Sequence, residues 1–256
     1  MQPMLNIGVR AARRAGDIII RSRNRLNEIN SKKKGKLDYV TDTDREAESA
    51  IIETLLTAYP EHQIIAEETG TSGNSEFQWI IDPLDGTLNF LHGYPHFCVS
   101  IALSKNNRLQ HAVIYDPIRD ELFTASRGDG ALLNGNKIRV SSQVKLEDAL
   151  IATGISVRNP EGPGKAHDSI KNIINAGADI RRSGSAALDM AYVASGRVDG
   201  YWETGLHSWD LAAGALLIIE SGGIVCDEHG GEDYLKKGSV FTGPPKLLRQ
   251  LLSKIN

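Results

Sequence analysis

Apolar residues recur at helical spacing in the first part of the chain. They lie three or four positions apart at Met4, Ile7, Ala11, Ala15 and Ile18. This spacing predicts an amphipathic first helix whose apolar stripe faces a core or a partner. A second helix is predicted to be capped by Thr43 or Asp44 and to stop before Pro60. Between the two helices, four lysines surround a glycine in SKKKGKLDYV without periodic apolar residues, which predicts a mobile loop.

The middle of the chain has the short apolar runs that are typical of strands. CVSIAL, LQHAVIYD and ELFTASR are separated by polar turns and predict an antiparallel meander. The following segment, LLNGNKIRV, contains Asn134-Gly135, a strong signal for a two-residue hairpin turn. Upstream of the meander, QIIAEETG predicts a short strand that ends in the carboxylates of Glu67 and Glu68.

After about residue 145, helical stretches alternate with short strands. ALIATGI predicts a strand, a helix opens near Gly184 to Ala186, and Asp210 leads the helix LAAGALLIIES, which Gly222-Gly223 ends. We therefore predict one domain over residues 1–256. Its N-terminal α+β half extends to about residue 145, and its C-terminal α/β half runs from about residue 146 to residue 256.

Composition narrows the functions that this chain can serve. A chain of 256 residues with 41% hydrophobic content can bury a large core. Lysine and arginine number 29 against 32 acids, and this balance argues against bulk nucleic-acid or membrane-surface binding as the main activity. Cys98 and Cys226 lie in apolar surroundings without CxxC spacing, which favours buried, reduced thiols and a cytoplasmic location. No apolar run is long enough to span a bilayer.

The segment WIIDPLDGTLNF, residues 79 to 90, holds the strongest candidate chemistry. An apolar strand ends at Asp82, and the stiff turn at Pro83 and Gly86 should hold Asp82 close to Asp85. Backbone N–H groups of Gly86 and Thr87 could bind an anion, particularly where a helix begins. This pattern predicts a magnesium and phosphate site. The same Asp-Pro-x-Asp-Gly string also suits an ordinary turn, so both interpretations stay open at this point.

Further acids favour the metal site. Glu67 and Glu68 end a strand and Asp210 lies at a helix start, and in a layered α/β fold such ends can meet at one site. A ligand set made only of oxygen suits magnesium better than zinc. Asp210 as a plain helix cap is the alternative, and a covalent phosphoenzyme on Asp82 fits less well than shared metal ligation.

The segments WIIDPLDGTLNF and WDLAAGALLIIESGG together resemble the paired signatures of the inositol monophosphatase family, which are magnesium-dependent, lithium-sensitive phosphatases. Further segments resemble the family in its order, namely DYVTDTD, AEETG, RRSGSAALD and YWETGLHSWD. The opening MQPMLNIGVRAARRAG is most similar to a bacterial branch of the family. The resemblance covers almost the whole chain and implies an αβαβα layered sandwich, the fold shared with fructose-1,6-bisphosphatases.

Carried over residue by residue, the resemblance implies two or three Mg²⁺ ions per site. The implied metal ligands are Glu67, Asp82, the Leu84 carbonyl, Asp85 and Asp210. The implied catalytic residues are Asp44, Thr87 and Glu67, with Thr87 and Asp44 preparing the attacking water and Glu67 helping to hold a third metal. The implied substrate contacts are Asp85, Gly86, Thr87, Gly184, Ser185, Ala186, Glu203 and Asp210.

The resemblance implies hydrolysis of inositol 1-phosphate and similar polyol phosphates by metal-activated water. A second hypothesis keeps the metal site but takes fructose 1,6-bisphosphate or 3′-phosphonucleotides as substrate, although Glu203 favours a polyol. Two departures from the family bear on this region. Leu88 stands where relatives often have threonine, and little effect is expected because it lies outside the ligand set. ATGISVRNPEGPGKAH is shortened and lacks the usual aromatic pair, and because this loop borders the substrate region it bears on substrate preference.

A third hypothesis belongs to another functional class. Relatives of the bacterial branch are linked to transcription antitermination at ribosomal RNA operons, which would make this chain a regulatory protein that binds RNA polymerase or an antitermination complex. The lysine loop and the first-helix arginines are the sequence hints, and a solvated surface explains them equally well. The resemblance also implies a homodimer, and no membrane partner is expected.

Overall fold

The computed structural model describes residues 2–26, 31–35, 38–155 and 162–255. Its helices are α1 (Pro3–Arg23), α2 (Asp42–Ala58), α3 (Thr87–Leu91), α4 (Gly162–Asn175), α5 (Ala186–Ala194), α6 (Ser208–Glu220), α7 (Tyr234–Lys237) and α8 (Pro245–Ile255). Its strands are β1 (Ser31–Gly35), β2 (Asp38–Thr41), β3 (Gln63–Ala66), β4 (Gly70–Ser72), β5 (Phe77–Asp85), β6 (Cys98–Lys105), β7 (Arg108–Asp116), β8 (Glu121–Ser126), β9 (Gly130–Leu133), β10 (Asn136–Lys137), β11 (Leu150–Thr153), β12 (Asp179–Arg181), β13 (Gly200–Thr204), β14 (Ile224–Cys226) and β15 (Ser239–Gly243).

Two sheets and three helical layers alternate through the fold. An eight-stranded sheet with the order β10-β9-β8-β7-β6-β5-β3-β4 carries α1 and α2 on one face and α6 on the other. Helices α5 and α6 pack between this sheet and a five-stranded sheet with the order β12-β11-β13-β15-β14. Helices α4 and α8 form the outer layer beside β12 and β15. The predicted αβαβα sandwich is therefore confirmed.

The predicted apolar stripe of the first helix packs as expected. Ala11, Ala15 and Ile18 of the predicted stripe are buried, Met4 and Ile7 are half-buried against the core, and Arg13 is exposed. Because one stripe is apolar and the remaining surface is charged, this helix can cover a sheet face while staying solvated on its outer side.

The predicted N-cap of the second helix, Thr43 or Asp44, was wrong by two or three residues. Thr41 is the N-cap of α2, because its extended backbone lets its hydroxyl accept the N–H groups of Thr43 and Asp44. The Asp44 carboxylate in turn accepts the Thr41 N–H at 2.8 Å, which completes a capping box. Thr43 and Asp44 are already helical and therefore cannot serve as the cap.

The lysine-rich segment forms a hairpin where a loop was predicted. Strands β1 and β2 pair antiparallel, with Ser31 opposite Thr41. Backbone pairing overrides the lack of apolar periodicity here, because a strand ladder needs only N–H and C=O groups. Lys36 lies outside the described residues.

The strand predictions for the middle of the chain are confirmed. Strands β6, β7 and β8 form the antiparallel meander, and β9 pairs with β10 through Asn134 (φ 49°) and Gly135 (φ 82°). Strand β3 runs parallel to β5, with Ala66 opposite Ile81. The residues that follow Ala66 and Ile81 therefore emerge at the same edge of the sheet.

The state of the two cysteines and the length of the helices can be compared with the sequence predictions. Cys98 and Cys226 are buried free thiols, as predicted. Among the described residues, none of the helices has the length and apolar character needed to cross a bilayer.

Two helical glycines provide a test of the central packing layer. A Cβ added at Gly214 of α6 would lie 2.6 Å from the Met190 Cβ of α5, whereas one added at Gly8 of α1 would meet Val113 at an ordinary 3.4 Å. We expect Gly214→Ala to lower the free energy of unfolding by about 1–3 kcal/mol through overpacking. Gly8→Ala should leave it unchanged or raise it by up to about 1 kcal/mol. Urea unfolding followed by tryptophan fluorescence measures both, and equal effects would contradict this packing.

Candidate metal and phosphate site

The turn after β5 is rigid in the way that its sequence predicted. The Asp82 carboxylate accepts the Leu84 N–H at 3.0 Å, and the pairing of β5 with β6 is irregular between Asp82 and Asp85. Gly86 follows with φ 98°, and an added Cβ would lie 3.0 Å from the His96 carbonyl oxygen. A side chain at position 86 is therefore excluded both by the backbone angle and by the space.

Two other elements bring acids to this turn. Glu67 follows β3, and its N–H donates to the Ile81 carbonyl at 3.2 Å, next to Asp82 on the parallel neighbour. Asp210 is the third residue of α6, and its carboxylate accepts the His207 N–H at 2.6 Å. Asp210 therefore does stabilise a helix start, as the alternative interpretation held, and it also faces the same cavity as Glu67.

Asp82, Asp85 and Asp210 converge closely. One carboxylate oxygen from each lies within 4.8 Å of the other two. Burial, followed by the charges of Glu67, Asp85 and Asp210, raises the pKa of Asp82 well above its ordinary value. Burial also raises the pKa of Asp85 to about 6. Buried carboxylates that repel one another are stabilised by a cation, and an oxygen-only donor set suits Mg²⁺.

Asp85 also connects this turn to the C-terminal sheet region. Its Oδ2 atom accepts the Ser185 hydroxyl at 2.7 Å and the Ala187 N–H of α5 at 2.7 Å. Both bonds favour the ionised carboxylate and partly offset the effect of burial on its pKa. The predicted substrate segment Gly184 to Ala186 is thereby held beside the acids.

Asp44 and Thr87 form a hydrogen-bonded pair next to the acid cluster. The Thr87 hydroxyl lies 2.9 Å from the Asp44 carboxylate and 3.1 Å from the Leu84 carbonyl oxygen. Asp44 is fully buried, and burial raises its pKa to about 6 despite hydrogen bonds from Thr41 and Thr87. When Thr87 donates to Asp44, the lone pairs of its hydroxyl oxygen can accept a hydrogen bond from a water.

A cavity of about 200 Å³ joins these groups. It is lined by the predicted residues Glu67, Asp82, Leu84, Asp85, Gly86, Thr87, Gly184, Ser185, Ala186, Glu203 and Asp210. Asp44 is outside this lining and contacts it through Thr87. Sequence reasoning missed Tyr39, Arg182 and Asp189, which also line the cavity. Asp189 could have been found from its position one helical turn after Ser185.

Glu203 also lines this cavity and is held by its neighbours. The Tyr201 hydroxyl donates to its carboxylate, and burial raises the Glu203 pKa to about 7. A Cβ added at Gly154 would lie 1.9 Å from a Glu203 carboxylate oxygen, so any larger residue at position 154 would displace this carboxylate. The altered loop predicted to affect substrate preference continues into residues 156–161, which lie outside the described residues.

A polar network holds α3 against the segment that precedes α5. The Asn89 amide donates to the carbonyls of His96 at 2.7 Å and Ser183 at 2.9 Å. The His96 ring lies 3.1 Å from the Asp189 carboxylate, and both side chains are buried. The carboxylate of Asp189 is therefore paired with the His96 ring inside the fold and is not a solvent-exposed acid.

Comparisons with known proteins agree with this geometry. A family model described as "Inositol monophosphatase family" matches residues 1–256. The "Nus factor SuhB" of Haemophilus influenzae is 49% identical over 257 residues, covering 100% of this chain and 96% of that protein. The crystal structure of extragenic suppressor protein suhB from Bartonella henselae has 42% identity and a TM-score of 0.97, with coverage of 100% and 99%. Inositol monophosphatase from Anabaena has 37% identity and a TM-score of 0.88, with coverage of 98% and 94%.

The repulsion in the acid cluster predicts a pH-dependent stability of the metal-free protein. The pKa of Asp82 in the folded protein lies above its ordinary value of 3.8, so the ionised group lowers stability increasingly as pH rises above that value. In the presence of EDTA, Asp82→Asn should therefore raise the melting temperature by at least about 2 °C near neutral pH and have little effect near the ordinary pKa. Saturating Mg²⁺ should stabilise the wild type more than the variant.

Thermal denaturation across this pH range measures the effect. Asp168→Asn is the matched control, because Asp168 is exposed on α4. An Asp82→Asn variant whose stability differs from the wild type by the same amount at every pH would contradict the interpretation.

Proposed function

Because the chain belongs to the inositol monophosphatase family, as its signature segments predicted, we propose that it is a magnesium-dependent phosphomonoesterase. The observation that carries this proposal is the convergence of the Asp82, Asp85 and Asp210 carboxylates within 4.8 Å. The proposed substrates are inositol 1-phosphate and similar polyol phosphates, which would be hydrolysed to the alcohol and phosphate.

We expect the donors around the cavity to hold two or three Mg²⁺ ions. Glu67, Asp82 and the Leu84 carbonyl would hold one, Asp82, Asp85 and Asp210 a second, and Glu67 would help to hold a third. When bound, Mg²⁺ neutralises charge that develops on the phosphate and lowers the pKa of water. Gly86 and Thr87 would contact the phosphate from the start of α3.

The Thr87–Asp44 pair would prepare the attacking water. Thr87 accepts a hydrogen bond from the water while its own proton is directed at Asp44, only 2.9 Å away. A pKa of about 6 lets Asp44 act as a proton acceptor near neutral pH. The water oxygen bonds to phosphorus as the bond to the ester oxygen breaks, and the alcohol leaves with a proton from solvent. No phosphoenzyme is needed in this scheme.

The substrate preference rests on the residues around the leaving group. Glu203 and the segment Gly184 to Ala186 line the cavity beside the acids. Because a carboxylate accepts hydrogen bonds from hydroxyl groups, Glu203 supports a polyol. The alternative substrates are fructose 1,6-bisphosphate and 3′-phosphonucleotides, and the turnover of all three esters by the purified protein decides between them.

A second proposed function is regulatory. The relative from Haemophilus influenzae is named a Nus factor, and it is 49% identical over the full chain. This supports a role in transcription antitermination, with RNA polymerase or an antitermination complex as partner. A homodimer, a cytoplasmic location and sensitivity to lithium stay predictions.

Substitution of Asp85 tests catalysis and separates it from regulation. Asp85→Asn should lower Mg²⁺-dependent hydrolysis of inositol 1-phosphate by at least about a hundredfold, because it removes a charge from the metal-binding cluster. Asp168→Asn, an exposed acid on α4, should retain full activity. A colorimetric phosphate assay with and without Mg²⁺ measures both.

Wild-type protein that is inactive on every phosphomonoester with Mg²⁺ present would contradict the enzymatic proposal. If an inactive Asp85→Asn variant still complements loss of the gene, binding is the main cellular role. If it fails to complement although it folds, catalysis is the main role.

A further inference from the structure

Glu48 is a fully buried acid that the scheme above does not use. It lies on α2, and 0% of its surface is exposed. One carboxylate oxygen accepts the Glu68 N–H at 2.8 Å, and the other accepts the Thr69 N–H at 2.8 Å. Both oxygens are therefore occupied by backbone donors from a segment 20 residues further along the chain.

These two donors lie directly after Glu67. On its other side, Glu67 is fixed by the pairing of β3 with β5, and its own N–H donates to the Ile81 carbonyl. Glu67, Glu68 and Thr69 form the turn between β3 and β4, whose ends pair at Ala66 and Gly70. Within this turn, the Glu48 carboxylate holds the two N–H groups that directly follow Glu67.

Helix α2 forms hydrogen bonds with the candidate site through two residues on one of its faces. Asp44 and Glu48 are four residues apart, which places them one above the other on the helix. Asp44 accepts the Thr87 hydroxyl, and Glu48 accepts the N–H groups that follow Glu67. The relative position of Thr87 and Glu67 is therefore set by the same rigid helix.

We propose that Glu48 is a positioning residue for the metal site, because it fixes the backbone that aims the Glu67 carboxylate at the cation. The inference rests on the proposed function, which makes Glu67 a magnesium ligand. It requires a carboxylate at position 48, since the amide of glutamine has one acceptor oxygen and would turn an NH₂ group toward one of the two N–H donors.

Glu48→Gln tests this role by metal binding in addition to turnover. We expect its dissociation constant for Mg²⁺, measured by calorimetry, to rise about tenfold or more, as for other groups that orient metal ligands. The catalytic constant at saturating Mg²⁺ should change much less. Glu53→Gln is the matched control, because Glu53 lies on the same helix with 65% of its side chain exposed, and its Mg²⁺ affinity should equal that of the wild type.

A double-mutant cycle with Glu67→Gln separates positioning from general destabilisation. If Glu48 acts through Glu67, adding Glu48→Gln to Glu67→Gln should change the Mg²⁺ affinity little. Unchanged affinity in Glu48→Gln, or an equal loss in both backgrounds, would overturn the proposal. Should Glu48→Gln fail to fold, Glu48→Asp keeps the charge but shortens the reach, and it should also weaken Mg²⁺ binding.

Measurements of Mg²⁺ binding and ester hydrolysis by the wild-type protein distinguish this inference from the proposed function. Wild-type protein that binds no Mg²⁺ and hydrolyses no ester would refute the proposed function itself. If the wild-type protein binds Mg²⁺ and the Glu48→Gln variant binds it with equal affinity, only the role of Glu48 is refuted.

Discussion

The carboxylate of Asp85 is the group on which the candidate site depends. It ends β5 in the eight-stranded sheet, and its Oδ2 atom accepts hydrogen bonds from Ser185 and Ala187 at the start of α5. The same carboxylate lies within 4.8 Å of Asp82 and Asp210. One side chain therefore joins the acid cluster to the segment Gly184 to Ala186, which lines the same cavity, so a displacement of either part would shift the other.

The cluster places an electrostatic constraint on the whole fold. Burial raises the pKa values of Asp44 and Asp85 to about 6 and that of Glu203 to about 7. Keeping several carboxylates in one buried site is unfavourable unless they are protonated or a cation binds. Strand pairing, the capping box of α2 and the hydrogen bonds from α5 hold these groups in place despite the repulsion. Such stored repulsion favours cation binding, which is consistent with a metal-dependent hydrolase.

The sequence predicted the parts of this arrangement that depend on local pattern. The stripe of α1, the β6–β8 meander and the strand that ends before Glu67 follow from periodicity and turn residues. The N-cap at Thr41 was missed because several polar residues in a row can cap a helix. Glu48 and Asp189 were missed because an acid on a helix usually faces solvent, and only tertiary contacts show that these two are buried. The contact of Gly154 with Glu203 likewise joins strands that are distant in sequence.

The location of bound metal in the protein tests the proposed site most directly. Crystals soaked in Mn²⁺ as a substitute for Mg²⁺ and measured near the manganese absorption edge would give anomalous difference peaks at every bound ion. We expect at least two peaks, one of them shared by Asp82, Asp85 and Asp210 and another between Asp82 and Glu67. Ordered crystals with no anomalous peak at these carboxylates, or with peaks only elsewhere, would contradict it.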